Sequence, residues 1–192
     1  MRVLQSLLND LTSGDEARAE AAVPSLIELG MDAIPSLLDL THYKDVDSRW
    51  WALRTLAESH LCRTEWLVPF LSSDPAPEVR QCAALGLGIK LDNSAIQPLV
   101  QALSDDDNMV ANLAVNALVR IGREAVPSLI ETVQDGKQSA RIQALRALSE
   151  IKDHRAIPIM MKVMQEESAL LLHWAKEGLD RLGLDMVYIK PV

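Results

Sequence analysis

One motif returns five times along this chain at a spacing close to thirty residues. "AIPSLLDL" from Ala33, "LVPFLSS" from Leu67, "AIQPLVQAL" from Ala95, "AVPSLIETV" from Ala125 and "AIPIMMKV" from Ala156 lie 34, 28, 30 and 31 residues apart. A second series follows the first: "SRWWALRTLAE" from Ser48, "VRQCAALGLGIK" from Val79, "VANLAVNALVRIG" from Val110 and "ARIQALRALSEIK" from Ala140. "LLHWAKEGLDRLG" from Leu171 is a weaker fifth copy. A period this short means that each unit is one supersecondary element, unable to bury its apolar face alone and forced to stack on its neighbours.

Both segments of a unit read as helices. Val79, Ala83, Gly86 and Leu87 fall at i, i+4, i+7 and i+8, as do Val110, Ala114, Ala117 and Leu118, which puts small and apolar residues on one stripe. Ala52, Ala83, Ala114, Ala144 and Ala175 recur at one register, suiting close approach of neighbouring helices. Turns such as "YKDVDSR", "SSDPAPE", "SDDDN" and "QDGKQS" carry Asp, Ser or Asn ahead of the second helix, where they cap free N–H groups. Gly30, Gly122 and Gly183 close helices, since glycine accepts the left-handed conformation. Pro35, Pro69, Pro98, Pro127 and Pro158 are expected in the first turn of each first helix, where a missing N–H costs little. The heptapeptide "AVPSLIE" occurs at Ala22 and at Ala125, yet the flanking residues place the first copy at the end of a second helix and the later one at the start of a first helix. Pro24 then falls inside a helix, and a kink or break is expected there.

The chain is 192 residues long with 48% hydrophobic and only 4% aromatic residues, enough to bury a largely aliphatic core. It carries no Gly, Ser or Pro run that would mark a linker, so we read one domain, 1–192, with approximate units 1–30, 31–60, 61–92, 93–122, 123–153 and 154–183 and a C-terminal cap at 184–192. A formal charge of −8 opposes a sequence-independent grip on nucleic acid or an anionic membrane surface, and neither is expected as a partner. Cys62 and Cys82 lie in helical patterns, which argues against a disulfide framework and for a reducing, cytoplasmic setting. The segment "MRVLQSLLNDLTSGDE" lacks an apolar run of signal length.

With "AIPxL" opening one helix and "VRxxAAxxLG" in the next, best seen in "EVRQCAALGLG", "DSRWWALRTLA" and "SARIQALRALSEI", the chain resembles short HEAT repeats of the type found in phycobilisome lyase-like proteins. The resemblance covers essentially the whole chain. It implies an all-α, right-handed α-α superhelix, a HEAT-like solenoid of about six helical hairpins. Its relatives include subunits that attach or remove bilins, a di-iron hydroxylase, DNA glycosylase relatives and scaffolds. None of His42, His60, His154 or His173 is followed by Glu, so the hydroxylase ligand pattern is missing, and His60 with Cys62 lacks a third and fourth ligand. No metal and no cofactor is expected.

Arg49, Arg80 and Arg141 recur beside the turn acids Asp47, Glu78 and Asp107, and we read them as a ladder bracing turn to turn, with an anion-binding row as the alternative. The resemblance places the second helices on a concave face. Trp50, Leu53, Arg54, Leu85, Val115, Asn116, Ile142, Leu145 and Arg146 are then the candidate partner-binding residues. Adjacent helical residues point about 100° apart, so Trp50 and Trp51 cannot share the core stripe equally. Trp50 either anchors a partner or covers the loop "THYKD". The tail "LDMVYIKPV" is read as a cap.

No nucleophile elbow, phosphate loop or carboxylate pair in an apolar pocket appears, and no catalytic residue is assigned. The primary expectation is therefore a non-catalytic scaffold or adaptor, not an enzyme, binding a protein or peptide on the concave face. The alternative is a bilin lyase-like subunit handling a linear tetrapyrrole or phycobiliprotein, with Arg54 and Arg146 as cations for the pigment's propionates.

Overall fold

Every regular element in the computed structural model, which describes residues 2–166 and 168–184, is a helix. By internal contacts the chain divides into two units, Met1–Lys90 and Leu91–Val192. The first holds three hairpins: α1 (Arg2–Leu11) with α2 (Glu16–Glu28), α3 (Ile34–Leu40) with α4 (Val46–Glu58), and α5 (Thr64–Ser73) with α6 (Pro77–Lys90). The second holds α7 (Ile96–Ala102) with α8 (Asn108–Ile121), α9 (Val126–Asp135) with α10 (Gln138–Ile151), and α11 (Ile157–Val163) with α12 (Ala169–Arg181). Within the first unit α4 packs on both α2 and α6; within the second, α10 packs on both α8 and α12.

The repeated small residues explain this stacking. Ala52, Ala83, Ala114, Ala144 and Ala175 are all fully buried, as are Leu56, Leu87, Leu118, Leu148 and Leu179, one turn further along. Alanine lets two backbones approach closely, and each buried leucine contributes about 1.5–3 kcal/mol by leaving water. On the first helices Ala33, Ala95, Ala125 and Ala156 are fully buried beside Leu37, Leu99, Leu129 and Met160.

Helix ends follow local chemistry. Asp15, Asp45 and Asp107 accept from the backbone N–H of Arg18, Ser48 and Val110 at the starts of α2, α4 and α8. The start of α10 departs from the expected capping, because Lys137 occupies that place and gives no side-chain bond. Gly30, Gly122 and Gly183 adopt φ of 57°, 79° and 79° as expected. At the junctions before α7 and α11, Leu91 and Lys152 take the same left-handed conformation without being glycine.

Proline behaves less uniformly than its spacing implies. Pro35, Pro127 and Pro158 sit at the second position of α3, α9 and α11. Pro69 instead lies inside α5, because Thr64 to Trp66 are already α-helical where four other junctions form a short 3-10 turn. Helix α2 runs unbroken through Pro24. The two copies of "AVPSLIE" do fall at the end of α2 and the start of α9, and each buries its Ala, Val and Leu. Of the expected C-terminal cap, residues 185–192 lie outside the described residues.

Arginine ties successive hairpins together within each unit. Arg49 is buried and donates from Nε and Nη2 to both carboxylate oxygens of Asp74, each at 2.9 Å, and from Nη1 to the carbonyls of Tyr43 and Lys44. Arg141 spans the same 25 residues to Glu166 and also donates to the Val133 carbonyl. The expected ladder therefore exists at these two steps, with different partners. Asp45 and Asp107 cap helices, and the carboxylate that receives Arg49 belongs to the turn of the following hairpin.

Two predictions follow from this packing. A Cβ on Gly86 would stand 2.7 Å from Ala57 Cβ and 3.0 Å from a Leu67 methyl, so Gly86→Ala should cost about 1–3 kcal/mol in urea unfolding despite alanine's better helix propensity. Gly178→Ala meets the flexible end of Met160 instead and should cost less than Gly86→Ala. Arg49→Leu strands a buried carboxylate and should cost about 3–5 kcal/mol by the same measurement, whereas Arg141→Leu, whose pair is partly solvated, should cost about 1 kcal/mol.

Candidate functional site

The second helices carry the candidate residues, and burial divides them sharply. Leu53, Val115 and Leu145 are fully buried and present nothing to a partner, contrary to the surface position expected for them. The reason is geometric: within their units α4 and α10 are each flanked by their own first helix and by second helices on either side, and α8 by α7 and α10, so the buried sector is wider than one stripe. Trp50, Arg54, Ile142 and Arg146 are half-buried, while Leu85 and Asn116 are exposed.

In the first unit, Trp50 and Trp51 pack edge to face with centroids 4.9 Å apart and planes at 89°. The Arg54 guanidinium lies over both rings, at 5.5 and 5.2 Å from their centroids, a favourable placement of a cation on aromatic faces. Each of its three nitrogens already donates to a carboxylate. Nη2 reaches Glu20 Oε1 at 2.8 Å, Nη1 reaches Glu20 Oε2, and Nε reaches Glu58 Oε1 at 2.9 Å. The hydrogen bond from Arg54 holds the Glu20 carboxyl below the usual glutamate range, and Arg54 is correspondingly raised, first by Glu20. Arg49 holds the "THYKD" loop through its two carbonyl contacts.

Beside this cluster a cavity of about 490 Å³ is lined by the α1–α2 turn, including Gly14, by Glu16, and by Asp45, Asp47, Trp50 and Trp51 from the start of α4. Its walls are aromatic and acidic. In the second unit, Arg146 Nη1 donates to Asn112 Oδ1 at 2.7 Å, and its Nε lies 3.6 Å from Glu150 Oε1, too far for a hydrogen bond. Ile142 stands one turn before Arg146 on α10, and Asn116 one turn beyond Asn112 on α8.

The two thiols are poor nucleophiles. Burial pushes Cys62 up to about 11 and Cys82 up to about 12, so both stay protonated at neutral pH. Among the described residues, no group of three or more His, Cys, Asp or Glu side chains is placed to hold a metal ion. No single helix among them is long and apolar enough to cross a membrane.

The family profile described as HEAT repeats matches residues 64–137 and 114–180, more than half of the chain. The chain belongs to the HEAT-repeat family. It is 37% identical over 114 residues to a bilin biosynthesis protein of Synechococcus sp. (strain WH8020), covering 54% of each chain. It is 30% identical over 98 residues to the phycocyanobilin lyase subunit beta of Nostoc sp. (strain PCC 7120), covering 51% of this chain and 49% of that one. The chain thus spans about half the length of these curated relatives. Among solved structures it is similar to a chain in the complex of CpcE and CpcF of phycocyanin lyase from Nostoc sp. PCC7120, with a TM-score of 0.60, 23% identity and coverage of 76% and 98%. That likeness supports the shared α-solenoid fold. The relatives overturn the primary expectation of a non-catalytic protein-binding scaffold: they are named a bilin biosynthesis protein and a phycocyanobilin lyase subunit beta.

Sequence reasoning missed Glu20 and Glu58. Glu58 was legible as an i,i+4 partner of Arg54; Glu20 sits 34 residues earlier on another helix, and no local spacing signals it. The Glu20 assignment has a direct check. Because its pKa is lowered in the folded chain, the ion pair is fully formed above the ordinary glutamate value and is lost as pH falls through the depressed one. Carboxyl NMR titration should show Glu20 protonating below the usual range, and returning to about 4.3 in Arg54→Gln. An unshifted Glu20 in the wild type would refute the contact.

Proposed function

We propose that this chain is a bilin lyase-like HEAT component that binds a linear tetrapyrrole and presents it to, or receives it from, a phycobiliprotein. The observation that carries the reading is the 37% identity to a bilin biosynthesis protein over about half of each chain. The surface chemistry is compatible with it. A linear tetrapyrrole is a long, flat, conjugated molecule with N–H donors along its length and two propionates. The half-buried Trp50 and Trp51 offer aromatic surface for such a molecule, and carboxylates at the neighbouring cavity accept N–H donors.

This chain's residues bind and orient. Burial raises the Cys62 and Cys82 thiols and disfavours their thiolates, and this reading assigns the thiol that takes the pigment to another protein. The reading also fits a net charge of −8, which steers polyanions away while leaving a small ligand with two carboxylates to be met by individual arginines.

Titration of the purified chain with biliverdin should shift and sharpen the pigment's long-wavelength absorbance and quench tryptophan fluorescence. Trp50→Leu should weaken binding about tenfold, equivalent to about 1.4 kcal/mol. After denaturation the pigment should separate completely from the chain. A pigment spectrum unchanged by the protein would overturn the proposal.

A further inference from the structure

Resting on the bilin reading, we infer that the cavity beside Trp50 and Trp51 takes the tetrapyrrole in its protonated, cationic form. A linear tetrapyrrole carries one imine-type ring nitrogen among its pyrrole N–H groups. When that nitrogen takes a proton from water, every ring nitrogen becomes a donor and the positive charge spreads over the conjugated chain. The cavity lies wholly within the first unit, and its walls favour this form over the neutral one.

Three carboxylates, Glu16, Asp45 and Asp47, line the cavity with the two indoles, and no basic side chain does so among the described residues. The three are not equivalent. Asp45 is committed to the start of α4, where it accepts from the Ser48 N–H at 2.7 Å. Glu16 and Asp47 stand exposed in the first turns of α2 and α4, and neither side chain is held by a hydrogen bond or ion pair among the described residues. The two helix dipoles add roughly half a positive charge each at this end, less than the three negative charges they face.

The surrounding cations do not offset that surplus. Every arginine of α2 and α4 is matched, Arg18 to Asp10, Arg49 to Asp74, and Arg54 to both Glu20 and Glu58. Helix α6, packed on α4, brings Glu78 and Arg80, which donates to the Asp74 carbonyl, and its Lys90 reaches the Ser59 carbonyl beyond the far end of α4. From α3 and its loop come Asp39, His42 against the Phe70 ring, and an exposed Lys44. A propionate is repelled from such a cavity and stays toward solvent. A delocalised cation instead gains charge-assisted N–H bonds to Glu16 and Asp47 and contact with indole surface. Carboxylates this close favour the charged form of the ring nitrogen, so binding raises its pKa.

The test follows the long-wavelength band of biliverdin, which reports the conjugated chain and not the propionates, as pH is varied with the pigment free and fully bound. The cavity carboxylates are ionised above about pH 5. Binding should move the midpoint of the band change up by about one pH unit, so that the cation binds about tenfold more tightly than the neutral pigment. Glu16→Gln combined with Asp47→Asn should return the midpoint to that of free biliverdin, and each single substitution should remove part of the shift. Arg54→Gln should raise the midpoint further by leaving Glu20 and Glu58 unmatched. Circular dichroism melts confirm that each variant is folded across the pH range. Two results would overturn the inference: a bound midpoint at or below that of free biliverdin, or a raised midpoint that survives the double substitution. In both the bilin reading stands, because the pigment is seen to bind. A pigment spectrum and tryptophan fluorescence unchanged by mixing at every pH would remove both.

Discussion

The close approach of second helices within each unit governs most of what this chain presents to its surroundings. Alanine recurs at one register of α4 and α6 in the first unit and of α8, α10 and α12 in the second, and all five copies are inaccessible to water. Where glycine replaces a larger residue in the adjoining row, at Gly86, the neighbouring Ala57 and Leu67 come so near that a methyl group has no room. Tight crossing widens the buried sector of each helix. That is why Leu53, Val115 and Leu145 belong to the core, while Trp50, Arg54, Ile142 and Arg146 are half-buried and Leu85 and Asn116 exposed.

The repeat also decides where charge can go. A turn acid one hairpin ahead lies within reach of an arginine near the start of a second helix, and Arg49 and Arg141 both use that reach. The Arg49 pair is the more deeply buried, and its guanidinium makes four hydrogen bonds, two to one carboxylate and two to loop carbonyls. Such a group fixes the loop between α3 and α4 and cannot also serve as an anion site. An arginine row visible in sequence is, at these positions, internal bracing.

How much of this was legible follows from the range of each interaction. Helix pairing, the alanine register, the left-handed glycines and the division of the two "AVPSLIE" copies all rest on spacing within one hairpin or on comparison between hairpins, and the sequence displays both. The path of α2 through Pro24 was not legible, because tertiary packing of Ala19, Ala22, Val23 and Leu26 outweighs one lost backbone bond. Nor were the partners of Arg49 and Arg54, since Asp74 and Glu20 lie 25 and 34 residues away on other elements. The candidate surface suffered for a related reason. Subtracting a single core stripe leaves too many residues outside when a helix has neighbours on three sides.

Arginine therefore appears in three states on one scaffold, distinguished by what holds it. Arg49 is buried and saturated, Arg54 is half-buried and over-neutralised beside tryptophan, and Arg146 is half-buried and held by an amide. Only the last is oriented by a neutral amide, with Glu150 at ion-pair range of its Nε. On a chain of formal charge −8 a diffuse attraction for carboxylates is not available, so any recognition of an anionic ligand has to be local. Local recognition in turn needs a guanidinium that is desolvated enough to bind strongly and is not already matched to a protein carboxylate. Residue type and register do not distinguish Arg146 from Arg54; the neutral partner on the neighbouring helix does.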